Sequence, residues 1–211
     1  MAIVIAKIVI AYLLGSLSGS LLLGRLRGID IRGHGSGNAG GTNALRVAGW
    51  RFALGVIVID VGKGALAAWL GAYSVAGQAL DSLALAAACT IAAAIGHCSP
   101  VFFGFRGGKG AGTLVGGILV VAPWFATVMF IVWVAVIALT RYVGLATVLA
   151  ATAMPLSVAV AFALGWPQPI AMIAFSIAVF ALILYTHRGN LARLRCGEEP
   201  RLGRRVPASR V

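Results

Sequence analysis

The chain has 211 residues, of which 61% are hydrophobic and only 10% are charged. Its mean hydropathy is +1.00. Soluble domains carry about 25% charged residues, so this composition excludes the soluble globular classes, and the high hydrophobicity also excludes intrinsic disorder. The apolar stretches are continuous and do not alternate, which disfavours a β-barrel. The sequence therefore predicts an all-α fold, a polytopic helical bundle in a membrane.

The charge is strongly unbalanced, with 17 Lys and Arg residues against 5 Asp and Glu residues and a formal net charge of +12. Two explanations fit: a topology with its positive loops in the cytoplasm beside anionic lipids, or an anionic substrate. Nucleic acid is not a predicted partner, because the basic residues lie in short loops between apolar blocks. The three cysteines form no CxxC pair, so neither a disulfide framework nor a structural zinc site is predicted.

Six apolar blocks follow one another along the chain: Ile3–Leu23, Phe52–Ala76, Leu83–Ile95, Ala111–Leu139, Tyr142–Leu164 and Ile170–Thr186. The first begins directly after Met1-Ala2 and is predicted to be a retained span. One crossing needs about 20 residues, so the fourth block, with 29, is long for one and short for two. We predict that it folds back at Pro123-Trp124, where proline interrupts the helix.

The distribution of arginine leads to the number of crossings. The loop after the first block and the C-terminal end are both rich in arginine, which places both in the cytoplasm. An odd number of crossings follows, so we predict seven transmembrane helices with the N-terminus outside and the C-terminus cytoplasmic. The outer loops near Tyr73–Asp81, Pro123 and Trp166–Pro169 then contain no Lys or Arg. The cytoplasmic arginines include Arg25, Arg27, Arg32, Arg46, Arg51, Arg106, Arg141, Arg188, Arg193, Arg195, Arg201, Arg204, Arg205 and Arg210.

The predicted crossings and the arginine-rich C-terminal end together indicate one transmembrane domain over residues 1–195 and a basic cytoplasmic tail over 196–211. The tail arginines are expected mainly to fix topology and to contact anionic lipid. Membrane lipids are thus predicted partners of the whole chain.

The first cytoplasmic loop is rich in glycine, which occupies five of the nine positions from 33 to 41. Such a stretch does not form a stable helix, but its N–H groups can converge on an anion. Short polar side chains and the Arg46 guanidinium suit phosphate oxygens. The alternative is a flexible connector with a solvated arginine. The candidate phosphate-binding residues here are Gly35, Ser36, Gly37, Asn38, Gly40, Thr42, Asn43 and Arg46.

A second glycine-rich segment precedes the fourth apolar block. Backbone donors, a following helix N-terminus and one lysine are the elements of a phosphate-binding loop. The spacing is not that of a Walker A motif, and no strand or magnesium-binding acid accompanies it, so ATP hydrolysis is not favoured. The alternative is a basic turn at the membrane surface. The candidate residues are His97, Arg106, Gly107, Gly108, Lys109 and Gly110.

Two further pairs of polar residues are each three positions apart. Asp60 and Lys63 lie inside the second apolar block, where charges are costly and by default indicate function. Lys63 is a candidate phosphate-binding residue, and a buried structural ion pair with Asp60 is the alternative. His187 and Asn190 follow the last block. There a histidine can bind an anion or move a proton, or it can be an interfacial residue only.

At these residues the sequence resembles the bacterial acyl-phosphate:glycerol-3-phosphate acyltransferases of phospholipid synthesis. Four segments match the family motifs in order, and they cover most of the chain. The sequence departs from the usual motifs at Ser99, Gly41, Arg106 and Ala111-Gly112, all small or charge-preserving changes. The matching segments are Gly35–Asn43 with Arg46, Asp60–Gly64, Gly96–Gly110, and His187–Asn190 followed by Arg193, Leu194, Gly197 and Glu199.

The resemblance implies transfer of a fatty acyl group from acyl phosphate to the 1-hydroxyl of glycerol 3-phosphate, with no cofactor and no metal. It implies catalytic roles for Ser36, Arg46, Lys109, His187 and Asn190. It also implies a multi-pass protein of the bacterial inner membrane with its active site facing the cytoplasm.

Several mechanistic alternatives stay open at this stage. No His has an Asp five positions after it, so the HxxxxD dyad of thioester-dependent acyltransferases is absent. The hydroxyl proton then passes either to a substrate phosphate or to His187. Ser36 either hydrogen-bonds the acyl phosphate, which the lack of a neighbouring base favours, or becomes acylated. The competing functions are an organic-phosphate carrier and a structural or regulatory membrane subunit.

Overall fold

A computed structural model describes residues 1–73 and 80–203. Helices are its only regular secondary structure over these residues, which confirms the all-α prediction. The predicted outer loop Tyr73–Asp81 falls mostly outside the described residues, and Arg204, Arg205 and Arg210 fall entirely outside them. The α-helices are α1 (Ala2–Ser16), α2 (Gly19–Leu26), α3 (Gly41–Ala72), α4 (Ser82–Cys98), α5 (Ala111–Val121), α6 (Pro123–Thr140), α7 (Val143–Ala163), α8 (Ile170–Thr186) and α9 (Arg188–Arg195).

Four of the described segments are long and apolar enough to cross a membrane: α3, Ser82–Phe103 with α4, α6 and α7. Two bent helix pairs raise this number to six if each pair is one span: α1 with α2, bent by 46°, and α8 with α9, bent by 55°. Helix α5 has only 11 residues, about 16 Å of helix against a hydrocarbon thickness of about 30 Å. Seven crossings and their orientation stay predictions.

The helix bounds agree with several apolar blocks and differ at three places. The predicted interruption at Pro123 is confirmed, because α5 ends at Val121 and α6 begins at that proline. The first block is not one helix, since Ser18 is extended (φ −66°, ψ 120°) between α1 and α2. Helix α3 begins at Gly41, well before its apolar block, and it is broken at Gly49 (φ 78°).

Contacts divide the described chain into two compact units, Met1–Val121 and 122–203. In the first unit α3 and α5 pack with their backbones in contact. A Cβ placed on Gly64 would lie 1.9 Å from the carbonyl oxygen of Thr113, and one on Gly116 would lie 1.9 Å from that of Val61. Small residues permit such close helix packing in membranes, where van der Waals contact is the main attraction between helices.

The second unit is a set of apolar helices in sequence. Helix α7 packs against both α6 and α8. Trp133 of α6 donates its indole N–H to the Thr147 hydroxyl of α7 at 3.3 Å, so a polar contact accompanies the apolar packing.

The α3–α5 contact generates a test with a matched pair of substitutions on one helix. Gly64→Ala forces the backbones apart and should lower the free energy of unfolding by about 1–3 kcal/mol. Gly62→Ala adds the same methyl group where no atom lies within 4 Å, and should be neutral or stabilising because alanine favours helix. The measurement is the apparent denaturation midpoint in detergent at one fixed scan rate. Equal midpoints for the two variants would contradict the close packing.

Candidate active site

The first glycine loop has a fixed shape that Asn43 imposes. Asn43 is buried in the first turn of α3. Its Nδ2 donates to the carbonyl oxygens of Ile31 (3.1 Å) and His34 (3.0 Å), while its Oδ1 accepts from the Ser36 N–H (2.9 Å). A side-chain amide that satisfies three backbone groups makes the loop an ordered element, which argues against a flexible connector. The Ser36 side chain is exposed.

Glycine is required where this loop meets Asn43. Gly35 has φ +62°, and a Cβ on it would lie 2.3 Å from the Asn43 Oδ1. The loop then runs into the N-terminus of α3, where Thr42 and the half-buried Arg46 occupy the first two turns. A helix N-terminus after a glycine loop offers backbone donors and a positive dipole end to an anion.

The second glycine loop packs against the end of α4. The Gly107 N–H donates to the Cys98 carbonyl oxygen at 3.1 Å, and the Gly108 N–H donates to that of His97 at 3.0 Å. A Cβ on Gly108 would lie 2.2 Å from the His97 Nε2 and 2.7 Å from the Ala39 carbonyl oxygen. Gly108 therefore contacts the first loop as well, and the half-buried Lys109 follows it directly. Because these two N–H groups bind α4, the roles of Gly107 and Gly108 as phosphate donors stay predictions.

Arg32 joins the two loops, a role that sequence reasoning missed. Its Nη1 donates to the carbonyl oxygens of Phe103 (3.0 Å) and Arg106 (2.9 Å). Its Nη2 forms an ion pair with Asp30 at 2.8 Å, and these hydrogen bonds from Arg32 lower the pKa of the Asp30 carboxyl. The only signal in the sequence is the position of Arg32 directly before the first glycine, and the charge pattern had already assigned Arg32 to membrane topology.

A cavity of about 450 Å³ lies between the two loops. Three predicted phosphate-binding residues line it, so the structure brings parts of both loops to one place in the first unit. Ser36, Arg46 and Lys109 do not line this cavity. The lining residues are Asp30, Arg32, Gly33, Gly37, Arg106 and Gly107.

A buried charged cluster lies beside the second loop. The Lys63 Nζ is 2.9 Å from the Asp60 Oδ1, so the pair that the spacing allows does form. The same Nζ is 2.8 Å from the His97 Nδ1 and 3.1 Å from the Leu17 carbonyl oxygen. The Asp60 Oδ1 also accepts from the Gly19 N–H at 3.0 Å. Three polar atoms of the protein thus surround the Lys63 ammonium, and contact of Lys63 or His97 with phosphate stays a prediction.

In the second unit, His187 and Asn190 lie at the bend between α8 and α9. His187 is buried, and its Nδ1 lies 3.0 Å from the Ile183 carbonyl oxygen. Since a carbonyl oxygen only accepts, Nδ1 carries the proton, and in the neutral ring the lone pair is on Nε2. The Asn190 Nδ2 donates to the Glu199 Oε1 at 2.6 Å.

Glu199 organises this region, although spacing gave it no role. Its carboxylate is buried and also accepts from the Arg193 Nε at 2.9 Å. Gly144 of α7 permits the arrangement, because a Cβ there would lie 2.7 Å from the Asn190 Cβ. The beginning of the predicted tail is therefore tied to α9, and the domain boundary at residue 195 stays a prediction.

The amide of Asn43 provides a test of the first loop. Asn43→Asp keeps the acceptor for Ser36 but points a carboxylate oxygen at the Ile31 and His34 carbonyls. Leaving such groups unsatisfied costs about 1–3 kcal/mol, so hydrogen–deuterium exchange in the peptide 31–37 should accelerate. The control is Asn38→Asp, the same chemical change in the same loop. Equal acceleration in both variants would contradict a structural role that is specific to Asn43.

Comparison with known proteins gives consistent matches over nearly the whole chain. The family model described as glycerol-3-phosphate acyltransferase matches residues 5–197. A glycerol-3-phosphate acyltransferase of Chlorobaculum parvum is 41% identical, over 95% of this chain and 98% of that protein. One from Synechococcus elongatus is 40% identical, over 98% of both chains.

Two crystal structures are also similar to this chain. Both are of PlsY (YgiH), an integral membrane glycerol 3-phosphate acyltransferase. Its glycerol 3-phosphate form has a TM-score of 0.84 at 35% identity, covering 95% of this chain and 96% of that one. Its lysophosphatidic acid form has a TM-score of 0.82 at 34% identity, covering 95% of both.

Proposed function

Because the chain belongs to the glycerol-3-phosphate acyltransferase family, we propose that it transfers a fatty acyl group from acyl phosphate to the 1-hydroxyl of glycerol 3-phosphate. The hydroxyl oxygen bonds to the acyl carbon, the bond from that carbon to the phosphate oxygen breaks, and the hydroxyl proton leaves. The products are 1-acyl-glycerol 3-phosphate and inorganic phosphate. Acyl phosphate is already activated, so this reaction needs no nucleotide.

The observation that carries this proposal is the meeting of two glycine loops at one polar cavity in the first unit. Each loop leads into a helix N-terminus, at Gly41 and at Ala111. Both substrates carry negative phosphate groups that repel each other, and the two helix ends together with Arg46, Arg106 and Lys109 counter that repulsion. Catalysis then consists mainly of positioning and charge stabilisation.

The exposed Ser36 hydroxyl is proposed to donate a hydrogen bond to the acyl phosphate. Asn43 supports this role by fixing the Ser36 backbone through its N–H. Thr42 and Asn38 are proposed to bind phosphate beside it, together with the backbone at Gly37 and Gly40.

His187 and Asn190 are proposed to take part in the same reaction. The hydrogen bond from Nδ1 to Ile183 supports His187 as a base, because the lone pair then lies on Nε2. The rival acceptor of the hydroxyl proton is a substrate phosphate. Asn190 is held by Glu199, so a contact with substrate would use a preorganised amide.

The enzyme is proposed to lie in the bacterial inner membrane with seven crossings and its active site facing the cytoplasm. The arginine-rich first loop supports this orientation. In such a membrane the acyl chain is proposed to lie between helices while the phosphate head stays at the membrane surface.

A direct assay tests the proposed reaction. Purified protein with palmitoyl phosphate and glycerol 3-phosphate, in the presence of a chelator, should form lysophosphatidate and phosphate in equal amounts. Arg46→Ala and Lys109→Ala should each lower kcat/KM by about 100-fold or more, because each removes charge stabilisation.

The control for the assay is Arg51→Ala. Arg51 is an exposed arginine on the same helix as Arg46 and stacks over the Trp50 ring, so its loss should leave kcat/KM nearly unchanged. A folded wild-type sample that forms no lysophosphatidate would exclude acyl transfer from acyl phosphate.

The pH dependence of the rate separates the two candidate bases. If His187 is the base, wild-type kcat/KM falls as the pH drops and its imidazole becomes protonated, and His187→Ala loses that acid limb together with most of its activity. His34→Ala, an exposed histidine of the first loop, should keep the limb. An unchanged acid limb in His187→Ala would exclude His187 as the base and would indicate that a substrate phosphate accepts the hydroxyl proton.

A further inference from the structure

The first span is interrupted at a short run rich in glycine and serine, Gly15–Ser20, that lies inside the first apolar block. Helix α1 ends at Ser16 and α2 begins at Gly19, and the two are bent by 46°. A helix end leaves backbone carbonyl and N–H groups without helical partners. In hydrocarbon no water replaces those partners, so the protein itself must supply them.

Two charged side chains of α3 provide hydrogen-bond partners for both ends of this break. The Lys63 ammonium donates to the Leu17 carbonyl oxygen at 3.1 Å, and the Asp60 carboxylate accepts from the Gly19 N–H at 3.0 Å. The signs suit the helix dipoles, with the cation at the C-terminal end of α1 and the anion at the N-terminal end of α2. Their own separation of 2.9 Å makes them one ion pair.

His97 connects this pair to the second glycine loop. Its Nδ1 is 2.8 Å from the Lys63 Nζ and 3.3 Å from the Asp60 Oδ1, so the ring contacts both members of the pair. The Nε2 edge of the ring faces Gly108, where a Cβ would lie 2.2 Å away. The His97 carbonyl oxygen accepts the Gly108 N–H at 3.0 Å. Side chain and backbone of His97 thus both hold the residue that precedes Lys109.

We propose that Asp60, Lys63 and His97 are positioning residues that seat the loop 107–110, and with it Lys109, without contacting phosphate themselves. Lys63 is 7% exposed and His97 is 3% exposed, whereas Lys109 is only half-buried. The inference rests on the proposed function in one respect, namely that Lys109 binds substrate.

Cys98 offers a measurement of the loop that needs no substrate. A Cβ on Gly110 would lie 3.2 Å from the Cys98 Sγ, so the seated loop covers this half-buried thiol. Of the other two cysteines, Cys89 is buried and Cys196 is exposed. In a Cys196→Ser background, the rate of maleimide labelling at Cys98, read by peptide mass spectrometry, reports whether the loop is seated.

The test uses two variants and a matched control. Lys63→Met removes the ammonium, while His97→Asn keeps a polar side chain near the Nδ1 position but removes the ring edge beside Gly108. The control is Lys7→Met, which removes another buried lysine of the first unit, one that donates to the Tyr73 carbonyl oxygen. Labelling at Cys98 should rise several-fold in the first two variants and stay at the wild-type rate in the control.

The kinetic part of the test uses the same variants. Displacing a catalytic group by about 1 Å costs on the order of 100-fold in rate, so kcat/KM should fall by about that factor in His97→Asn. In a Lys109→Ala background His97→Asn should have little further effect, because the two residues act as one unit.

Two results would overturn the proposal. Unchanged Cys98 labelling together with lost activity would make Lys63 and His97 direct substrate ligands. An equal rise in Cys98 labelling in Lys7→Met would mean that loss of any buried lysine loosens the first unit, and that Lys63 and His97 have no specific role in seating the loop. If the enzyme formed no lysophosphatidate at all, the labelling would still decide the loop's position, so failure of the proposed function is distinguishable from failure of this inference.

Discussion

Backbone groups that leave a helix inside an apolar chain must find their partners in the protein, because hydrocarbon supplies none. The described structure meets this constraint with a few side chains of long reach. Asp60 and Lys63 satisfy the break in the first span. In the first glycine loop, which is predicted to face water, Asn43 likewise satisfies three backbone groups. The C-terminal end of α4 accepts the N–H groups of Gly107 and Gly108 in the second loop. Irregular backbone near the candidate site is therefore rigid, and rigidity is what a site that works by positioning requires.

Apolar length and local spacing predicted the features that depend on neighbours in sequence. Helix α8 spans the predicted block Ile170–Thr186 without change, because its sequence is apolar up to a polar boundary. Pro123 predicted the interruption before α6, since proline lacks the N–H that a helix interior needs. The Asp60–Lys63 pair followed from two residues three apart on one helix. Each of these inferences used information contained in one or two helical turns.

Features that depend on distant partners escaped the same reasoning. The break at Leu17 lies in the Gly- and Ser-rich run Gly15–Ser20 within the block Ile3–Leu23, but the residues that stabilise it lie more than 40 positions away. Helix α3 begins at Gly41 because Asn43 orders the loop before it, so a count of apolar residues places the start too late. Glu199 lies in a basic tail, and its role depends on contacts with Asn190 and Arg193 that only the fold creates.

The same constraint accounts for part of the excess of positive over negative charge. A loop or helix end that exposes carbonyl oxygens needs donors, and Lys and Arg carry several donors, no acceptor and a long apolar stem. Arg32 binds two carbonyls of the second loop, and Lys63 and Lys7 each bind one at a helix end. Part of the +12 thus also stabilises backbone. Counting cations along a membrane sequence therefore overestimates the number of anion-binding residues. The depth and the partners of each cation decide whether it sets topology, binds substrate or stabilises backbone.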